Sequence, residues 1–317
     1  MEQSKSNTTV AGIDAAKAKL DIAAHGREDI IQVTNTTAGF ERLGPWLKAL
    51  GITRVGIEAT GGYERAVVVW LEQQGYEVVV HQPREIRLFA RFKRIKAKND
   101  RMDARVIAAA TAQVDTVKAA GDPLLRELAE RLTAYEQAAD LLAQLKTCFE
   151  HVTLPDLRAQ YQAQARQLAA WKKALAKDLV ARIGTRPDLA RRFDLVMSLP
   201  GVGQIIAASL IIRMPELGQM ARGQATSLIG VAPFDRDTGQ SSGQRHIWGG
   251  RSRPRRMLYL AAIVAKRIDP AHKAFALRLT KAGKKPKVVI VAVMRKIIEA
   301  ANLVLGRGTP WVPTSPA

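Results

Sequence analysis

The sequence predicts an α/β N-terminal domain, a long-helix middle with coiled-coil character and a mainly α C-terminal domain. Three observations carry this. Short apolar or alternating runs at residues 10–13, 20–24, 30–33, 54–58 and 77–81 are broken by Gly, Asn or charged residues, as strands are. From Pro123 to Ile183, Leu and Ala recur at three- and four-residue spacing among Glu, Gln, Lys and Arg. Beyond Arg186 the pattern is again helical, apart from a Gly-, Ser- and Arg-rich segment between Pro233 and Pro254. The expected divisions are 1–120, 121–185 and 186–317.

Within the first domain, apolar residues at helical spacing mark helices at 39–50 and 63–74, each ending near a glycine suited to a C-cap, Gly51 and Gly75. A further helix is expected from Arg101 to about Gln113. Three closely spaced strands followed by helix, strand, helix, strand give a mixed sheet with helices packed on it. In the middle region a break near Thr153–Asp156 separates two long helices. An ordinary helical bundle and a coiled-coil arm that joins protomers both fit that pattern.

The charge narrows the partners. Forty-nine Lys and Arg against 29 Asp and Glu leave a net charge of +20, which calls for a polyanion. An anionic membrane surface would also satisfy it, but no apolar run approaches the ~20 residues of a spanning helix. The polar start of the chain has no apolar signal core, and Cys148 is the only cysteine, so no intrachain disulfide can form. A soluble protein of a reducing compartment is expected.

Four carboxylates are candidates for chemistry. Asp14 and Glu58 end apolar strands, where open α/β sheets place their sites. Asp100 and Asp103 are three residues apart near the start of a helix and so share one face. Singly, each reads as a strand-end acid meeting solvent or as a residue favouring a helix dipole. Together they suit a hard divalent cation, and they lie beside a basic strip: Arg84, Arg87, Arg91, Lys93, Arg94, Lys96, Lys98, Arg101 and Arg105. Cations that neutralise backbone phosphates around a metal-holding acid cluster suit phosphodiester chemistry.

The segments Gly12-Ile13-Asp14, Gly56-Ile57-Glu58-Ala59-Thr60-Gly61-Gly62-Tyr63 and Lys98-Asn99-Asp100-Arg101-Met102-Asp103-Ala104 resemble the N-terminal motifs of the DEDD transposases of the insertion-sequence-110 family. The resemblance implies a RuvC-like, RNase H-type fold carrying Asp14, Glu58, Asp100 and Asp103 as ligands of a divalent metal, Mg²⁺. It extends to the other end of the chain, where Gly230-Val231-Ala232-Pro233-Phe234-Asp235-Arg236-Asp237 and Gln244-Arg245-His246-Ile247-Trp248-Gly249-Gly250-Arg251 resemble the C-terminal signature of the same family. There a serine is the expected nucleophile, forming a covalent protein–DNA intermediate. This chain departs from that pattern: counting back nine residues from Ile247 gives Thr238, followed by Gly239, while the Ser-Gly doublet occurs at Ser242-Gly243 with Ser241 beside it. Register favours Thr238, identity favours Ser242, and Ser241 follows. The alternative is that all three are plain turn residues of an inactivated copy.

Also in this domain, Ser198-Leu199-Pro200-Gly201-Val202-Gly203 resembles a helix-hairpin-helix turn, whose backbone N–H groups can meet a phosphate; a plain Pro-Gly turn fits the same residues. From Ser241 to Ala300 there are 15 Lys and Arg against Asp269 and Glu299. Arg245, Arg251, Arg253, Arg255 and Arg256 cluster with Trp248 and Tyr259, offering charge and stacking surface to nucleic acid, although a solvated basic face is the commoner origin of such a run.

The expected activity is that of a DNA transposase or site-specific recombinase acting on donor and target DNA. The resemblance implies guidance by a structured noncoding bridge RNA, assembly as a homodimer or homotetramer, and a place on the nucleoid in the bacterial cytoplasm. A junction-resolving nuclease that uses water, with no covalent step, and a nonenzymatic nucleic-acid scaffold are the rivals. A nucleotide-dependent ATPase ranks last, since no phosphate-binding Gly-rich loop leads to Lys and Ser or Thr.

Overall fold

The computed structural model describes residues 9–95, 100–117, 121–234 and 246–312; the side chains of residues 100–102 lie outside that description. The chain divides into two compact units, Met1–Asp122 and Pro123–Ala317.

The first unit opens with strands β1 (Val10–Ala15), β2 (Lys19–Ala24) and β3 (Ile30–Thr34), followed by α1 (Thr37–Ala49), β4 (Arg54–Glu58), α2 (Arg65–Gln73), β5 (Glu77–His81), α3 (Pro83–Phe92) and α4 (Asp100–Thr111). All five expected strands are present. The sheet order is β3-β2-β1-β4-β5, with β1, β2 and β3 antiparallel to one another in sequence and β4 parallel to both β1 and β5. Side chains alternate between the two faces of a strand, and here both faces are covered. Ala11, Ile13, Leu20, Ile22, Val55 and Ile57 enter one core with Phe40, Leu43 and Leu47 of α1 and Val67 and Leu71 of α2. The other face receives α4.

That second face is built for close approach. A Cβ on Gly12 would overlap the Ala108 amide and the Ala104 carbonyl, and one on Gly56 would overlap the Thr111 hydroxyl, so glycine in two adjacent strands lets α4 lie directly on the sheet. The direction of α4 follows from the residues it meets. Its early residue Ala104 touches Gly12, Thr111 touches Gly56, and the carbonyl of Val114 accepts a hydrogen bond from Arg54 at the start of β4. The helix therefore crosses the sheet from β1 towards β4, its far end lying near the start of β4.

Helix α3 was not among the expected elements. Pro83 stands at its first turn and Glu85 closes a capping box with Gln82, both ordinary start signals. It packs on α4 through Ile86, in a small cluster with Val106, Ile107 and Ala110.

The second unit contains α5 (Pro123–Glu150), α6 (Pro155–Gly184), α7 (Pro187–Met197), α8 (Gln204–Arg213), α9 (Gln224–Ile229), the two-residue strands β6 (Pro233–Phe234) and β7 (His246–Ile247), α10 (Ser252–Ile268), α11 (Pro270–Lys281) and α12 (Pro286–Arg307). The two long helices, broken at Pro155 as the sequence suggests, form an antiparallel hairpin cross-tied by Arg131–Asp178 and Arg182–Glu127 ion pairs. Leu128, Leu132, Leu179 and Ile183 at its base enter the same core as Leu210 and Ile211 of α8, Leu258 and Ala262 of α10 and Ile297 of α12. The hairpin thus shares one compact unit with the helices after residue 185, where the sequence pattern suggests a division. The turn between α7 and α8 presses Gly201 against the backbone of α10 at Ala261 and Ala265, so packing is its first role. Among the described residues no helix is long and apolar enough to cross a membrane.

Candidate functional site

Asp14 and Glu58 sit side by side. Gly12 pairs with Gly56 and Ile13 with Ile57 in the parallel register, so Asp14 and Glu58 are the next step along neighbouring strands. Side-chain alternation puts both on the face of Gly12 and Gly56, the one that α4 covers. Asp103, half-buried, immediately precedes the Ala104 that touches Gly12, and Asp100 is the first residue of the same helix. The backbone thus places Asp14 and Glu58 at one end of one sheet face, and Asp103 on the helix laid across that face. The side chain of Asp100 lies outside the described residues, and among the described residues no three His, Cys, Asp or Glu side chains are grouped closely enough to hold a metal ion together. The chemistry of the set fits a hard cation: all donors are carboxylate oxygens, and like charges gathered on one face favour a divalent ion between them.

The structure adds groups that sequence reasoning passed over. Asp21 is directly opposite Asp14 in the β1–β2 register and therefore on the same face. It is almost fully buried, accepts a 2.7 Å hydrogen bond from Gln32 Nε2, and is paired at 3.0 Å with Lys19 Nζ. Its sequence signal was an acid on the inward phase of an alternating strand, which burial makes costly without a partner. The loops leaving β1 and β4 are clamped by one side chain: Asn35 Nδ2 donates to the carbonyls of Ala16 and Tyr63, each at 2.9 Å. Glu64 gathers the second loop from within, accepting from the amides of Thr60 and Gly62 and from the Thr60 hydroxyl. Burial pushes the Glu64 carboxyl up, but these hydrogen bonds outweigh it and hold the group below the ordinary carboxylate range.

His81, paired with Glu58 in the β4–β5 register, is buried and meets Thr111 Oγ1 at 2.8 Å. Thr111 gives its own hydroxyl proton to the Ile107 carbonyl, so His81 must be the donor, from Nε2. Burial lowers its pKa, with the Glu85 charge opposing.

Arg84, Arg87 and Arg91 of the basic strip lie on α3, and Lys93 and Arg94 follow it directly. Arg84, Arg87, Arg91, Lys93 and Arg94 are exposed, together with Leu88 and Phe92, the latter 79% exposed. Lys93 Nζ stands 5.7 Å from the Phe89 ring centroid and 6.0 Å from that of Phe92. Arg105 is an exposed residue of α4. Lys96 and Lys98, and the side chain of Arg101, lie outside the described residues.

In the second unit, β6 and β7 pair as a short antiparallel ribbon, and the segment joining them, 235–245, carries Thr238, Ser241, Ser242 and Arg245. These four lie outside the described residues. The arginines that follow are engaged within the unit. Arg251 makes a bidentate pair with Glu216 and also donates to the Arg213 carbonyl; Arg255 donates to the carbonyls of Gly230 and Gly249; Arg253 shares Glu136 and Thr133 with Arg213; Arg256 pairs with Asp140. Glu136 and Arg213 are buried enough that desolvation pulls the Arg213 pKa down, with the Glu136 carboxylate pulling it back. Trp248 is 54% exposed, whereas Tyr259 packs against the core.

Residues 11–153 match a family model for transposases of the DEDD, IS110 type, and residues 193–277 match one described as transposase, IS116/IS110/IS902 family. The chain belongs to this IS110 transposase family. The first match spans all four acids and the second spans the ribbon and its joining segment, which makes the chain a DNA transposase or recombinase by family; a DEDD transposase in general implies a divalent metal. It is also 25% identical over 320 aligned positions to the pilin gene-inverting proteins of Moraxella bovis and Moraxella lacunata, covering 96% of this chain and 97% of each relative.

Proposed function

We propose that this transposase cuts and rejoins DNA through a protein hydroxyl in segment 235–245, with Asp14, Glu58, Asp100 and Asp103 holding Mg²⁺ at the reacting phosphate. The observation that supports this reading is that Asp14 and Glu58 end neighbouring parallel strands, with Asp103 next to the Ala104 of α4 that meets Gly12. The strand order, with three antiparallel strands leading into two parallel ones and α4 laid on one face, supports the RuvC-like, RNase H-type reading of the first unit. The relatives named for inverting a pilin gene support site-specific recombination as the outcome.

Bound divalent ions would supply charge stabilisation at the phosphate. The chain's own groups do the rest. The hydroxyl oxygen of Thr238, Ser242 or Ser241 attacks phosphorus and loses its proton; the bond from phosphorus to the departing strand end breaks, and that oxygen leaves as a hydroxyl. Attack by the hydroxyl of a second strand end reverses these changes, frees the protein and joins the new strand. Thr238 carries a β-methyl that restricts χ1, so it presents its hydroxyl in fewer directions than a serine would. The exposed arginines of α3 hold flanking phosphates, and Asn35 and Glu64 keep the loops beside the acids in one shape. The +20 charge supports a second polyanion, a structured guide RNA from the same element, and the reading includes assembly as a dimer or tetramer on the bacterial nucleoid.

The test is trapping. The protein, with RNA expressed from the flanking element, is incubated with labelled target DNA and Mg²⁺ and resolved on a denaturing gel. A covalent adduct mapping to Thr238, Ser241 or Ser242 is expected, and Glu58→Gln should lower its formation by about a thousandfold or more while DNA stays bound. Metal-dependent cleavage without an adduct would replace this reading with a nuclease. Binding without cleavage would leave a scaffold.

A further inference from the structure

The second unit contains an open groove of about 790 Å³ between the segment around α9, the start of α11 and the outward face of α12. We propose that this groove binds an unpaired nucleotide of a nucleic-acid strand, an inference that rests on the reading of the chain as a nucleic-acid enzyme.

The wall of the groove is fixed. Asn302 accepts from the Gly218 amide through Oδ1 and donates to the Met220 carbonyl through Nδ2, both at 2.8 Å, and Glu299 accepts from the Gly223 amide at 3.1 Å. The one carboxylate in the lining is thereby engaged with backbone. On the other side His272, 6% exposed, bonds through Nδ1 to Asp269 Oδ2 at 2.6 Å, which fixes the ring and leaves Nε2 as its remaining polar atom. A neutral ring bonded in this way accepts at Nε2, and a charged one donates.

Around this frame stand three exposed cations, Arg222, Arg295 and Lys296, with Lys296 Nζ held 4.4 Å from the Phe275 ring centroid. The remaining surface is mainly apolar: Leu303 is 44% exposed and the indole of Trp311 completes the wall. Cations beside an apolar and aromatic wall match a ligand with a phosphate at one end and a flat apolar face at the other. An unpaired nucleotide has both. A duplex offers the cations its phosphates but keeps its base faces stacked, so it has nothing for Leu303 and Trp311. None of these cations is tied to an acid in the way that Arg251 or Arg253 is, among the pairs the structure shows.

The test uses the full chain and three fluorescent probes: oligo(dT) and oligo(U) of twelve nucleotides, and a twenty-base-pair duplex. A variant carrying Arg295→Gln and Lys296→Gln, both on the surface, is expected to lose about tenfold in affinity for the single strands and less than about twofold for the duplex. Its log-affinity against log-salt slope for single strands should fall by about 1.4, roughly 0.7 for each cation removed. Leu303→Glu, also exposed, should give the same preference. Photo-crosslinking with thio-substituted probes should label peptides of α9, α11 or α12. A larger loss on oligo(U) would assign the site to an RNA strand, and a larger loss on oligo(dT) to a DNA strand. Equal losses on duplex and single strands, unchanged single-strand affinity in both variants, or crosslinks confined to other helices would overturn the proposal. Failure of the unmodified protein to bind any of the three probes would instead overturn the broader reading.

Discussion

Two runs of arginine in this molecule, similar in sequence, are used in different ways. On α3, Arg84, Arg87 and Arg91 lie on the exposed side of a helix whose buried residue is Ile86. At the start of α10, Arg251, Arg253, Arg255 and Arg256 reach back to acids and carbonyls of their own unit. Charge density by itself therefore does not show which cations are already engaged within their own unit. Two of the second group have partners far away in sequence, 117 residues for Arg253 and Glu136 and 116 for Arg256 and Asp140, and the packing of α5 against the other helices brings them together. In the first group, Arg87 donates instead to the Pro83 carbonyl, four residues before it.

The largest expected effect comes from disturbing the rigid floor against which the α3 surface and the acids are set. Gly12→Ala puts a methyl into the backbone of α4 at Ala104 and Ala108, so the helix must move off the sheet. Overpacking of this kind costs about 1–3 kcal/mol or more. Since α4 carries Asp100 and Asp103 and the sheet carries Asp14 and Glu58, DNA cleavage should fall by about a hundredfold even in protein that remains folded. Activity of the folded fraction, compared with thermal unfolding of the same preparation, checks this. Full activity in a Gly12→Ala variant would mean that the two halves of the acid set need not be held in register.

The second expected effect belongs to the other region. Glu136→Ala leaves the Arg213 guanidinium, with a side chain 11% exposed, without its carboxylate. Breaking a buried pair by removing one partner costs about 3 kcal/mol. The midpoint of thermal unfolding should drop, while the salt dependence of DNA binding stays unchanged. Combined replacement of Arg84, Arg87 and Arg91 by Gln should do the converse. Stability should shift little, and the log-affinity against log-salt slope on duplex DNA should fall by about 0.9 for each phosphate no longer neutralised. If the α10 arginines changed the slope and the α3 arginines changed stability, the assignment of roles would be reversed.

The sequence made the scaffold legible and the wiring much less so. Short apolar runs located the central strands because both of their faces are covered, with the buried acid Asp21 as an exception, while β3 and β5 keep exposed positions between apolar ones. Gly12 and Gly56 were visible as motif residues, but their purpose, making room for α4, needed the helix in place. Helix α3 had its signals in Pro83 and Glu85, which the density of positive charge obscured. Asn35 and His81 act through partners on other strands, loops and helices, so no local pattern announced them, whereas Asp21 had its signal as an acid on the inward phase of β2.

The smallest effect separates the two arginine roles most finely. Arg256 and Asp140 form an ion pair at side-chain exposures of 63% and 43%, in contrast to the enclosed Arg213 and Glu136. An exposed pair contributes about 0.2–1 kcal/mol, since water and salt screen it and two long side chains must be ordered. Arg256→Gln should therefore shift the unfolding free energy by less than about 1 kcal/mol near neutral pH. The direction with pH is fixed by the acid: the Arg256 hydrogen bond holds the Asp140 carboxyl below its ordinary value near 3.8. Whatever stability the pair supplies is present above that value and is lost as pH falls through the lower, folded value. The difference between the variant and the parent should thus shrink as the pH is taken below about 4. Because so little is forfeited when Arg256 lets go of Asp140, this residue can exchange its acid for a phosphate. A drop of about 0.9 in the salt slope on Arg256→Gln, with stability nearly unchanged, would place it with α3. An unchanged slope would leave it with Arg251 and Arg253, as a tie between helices.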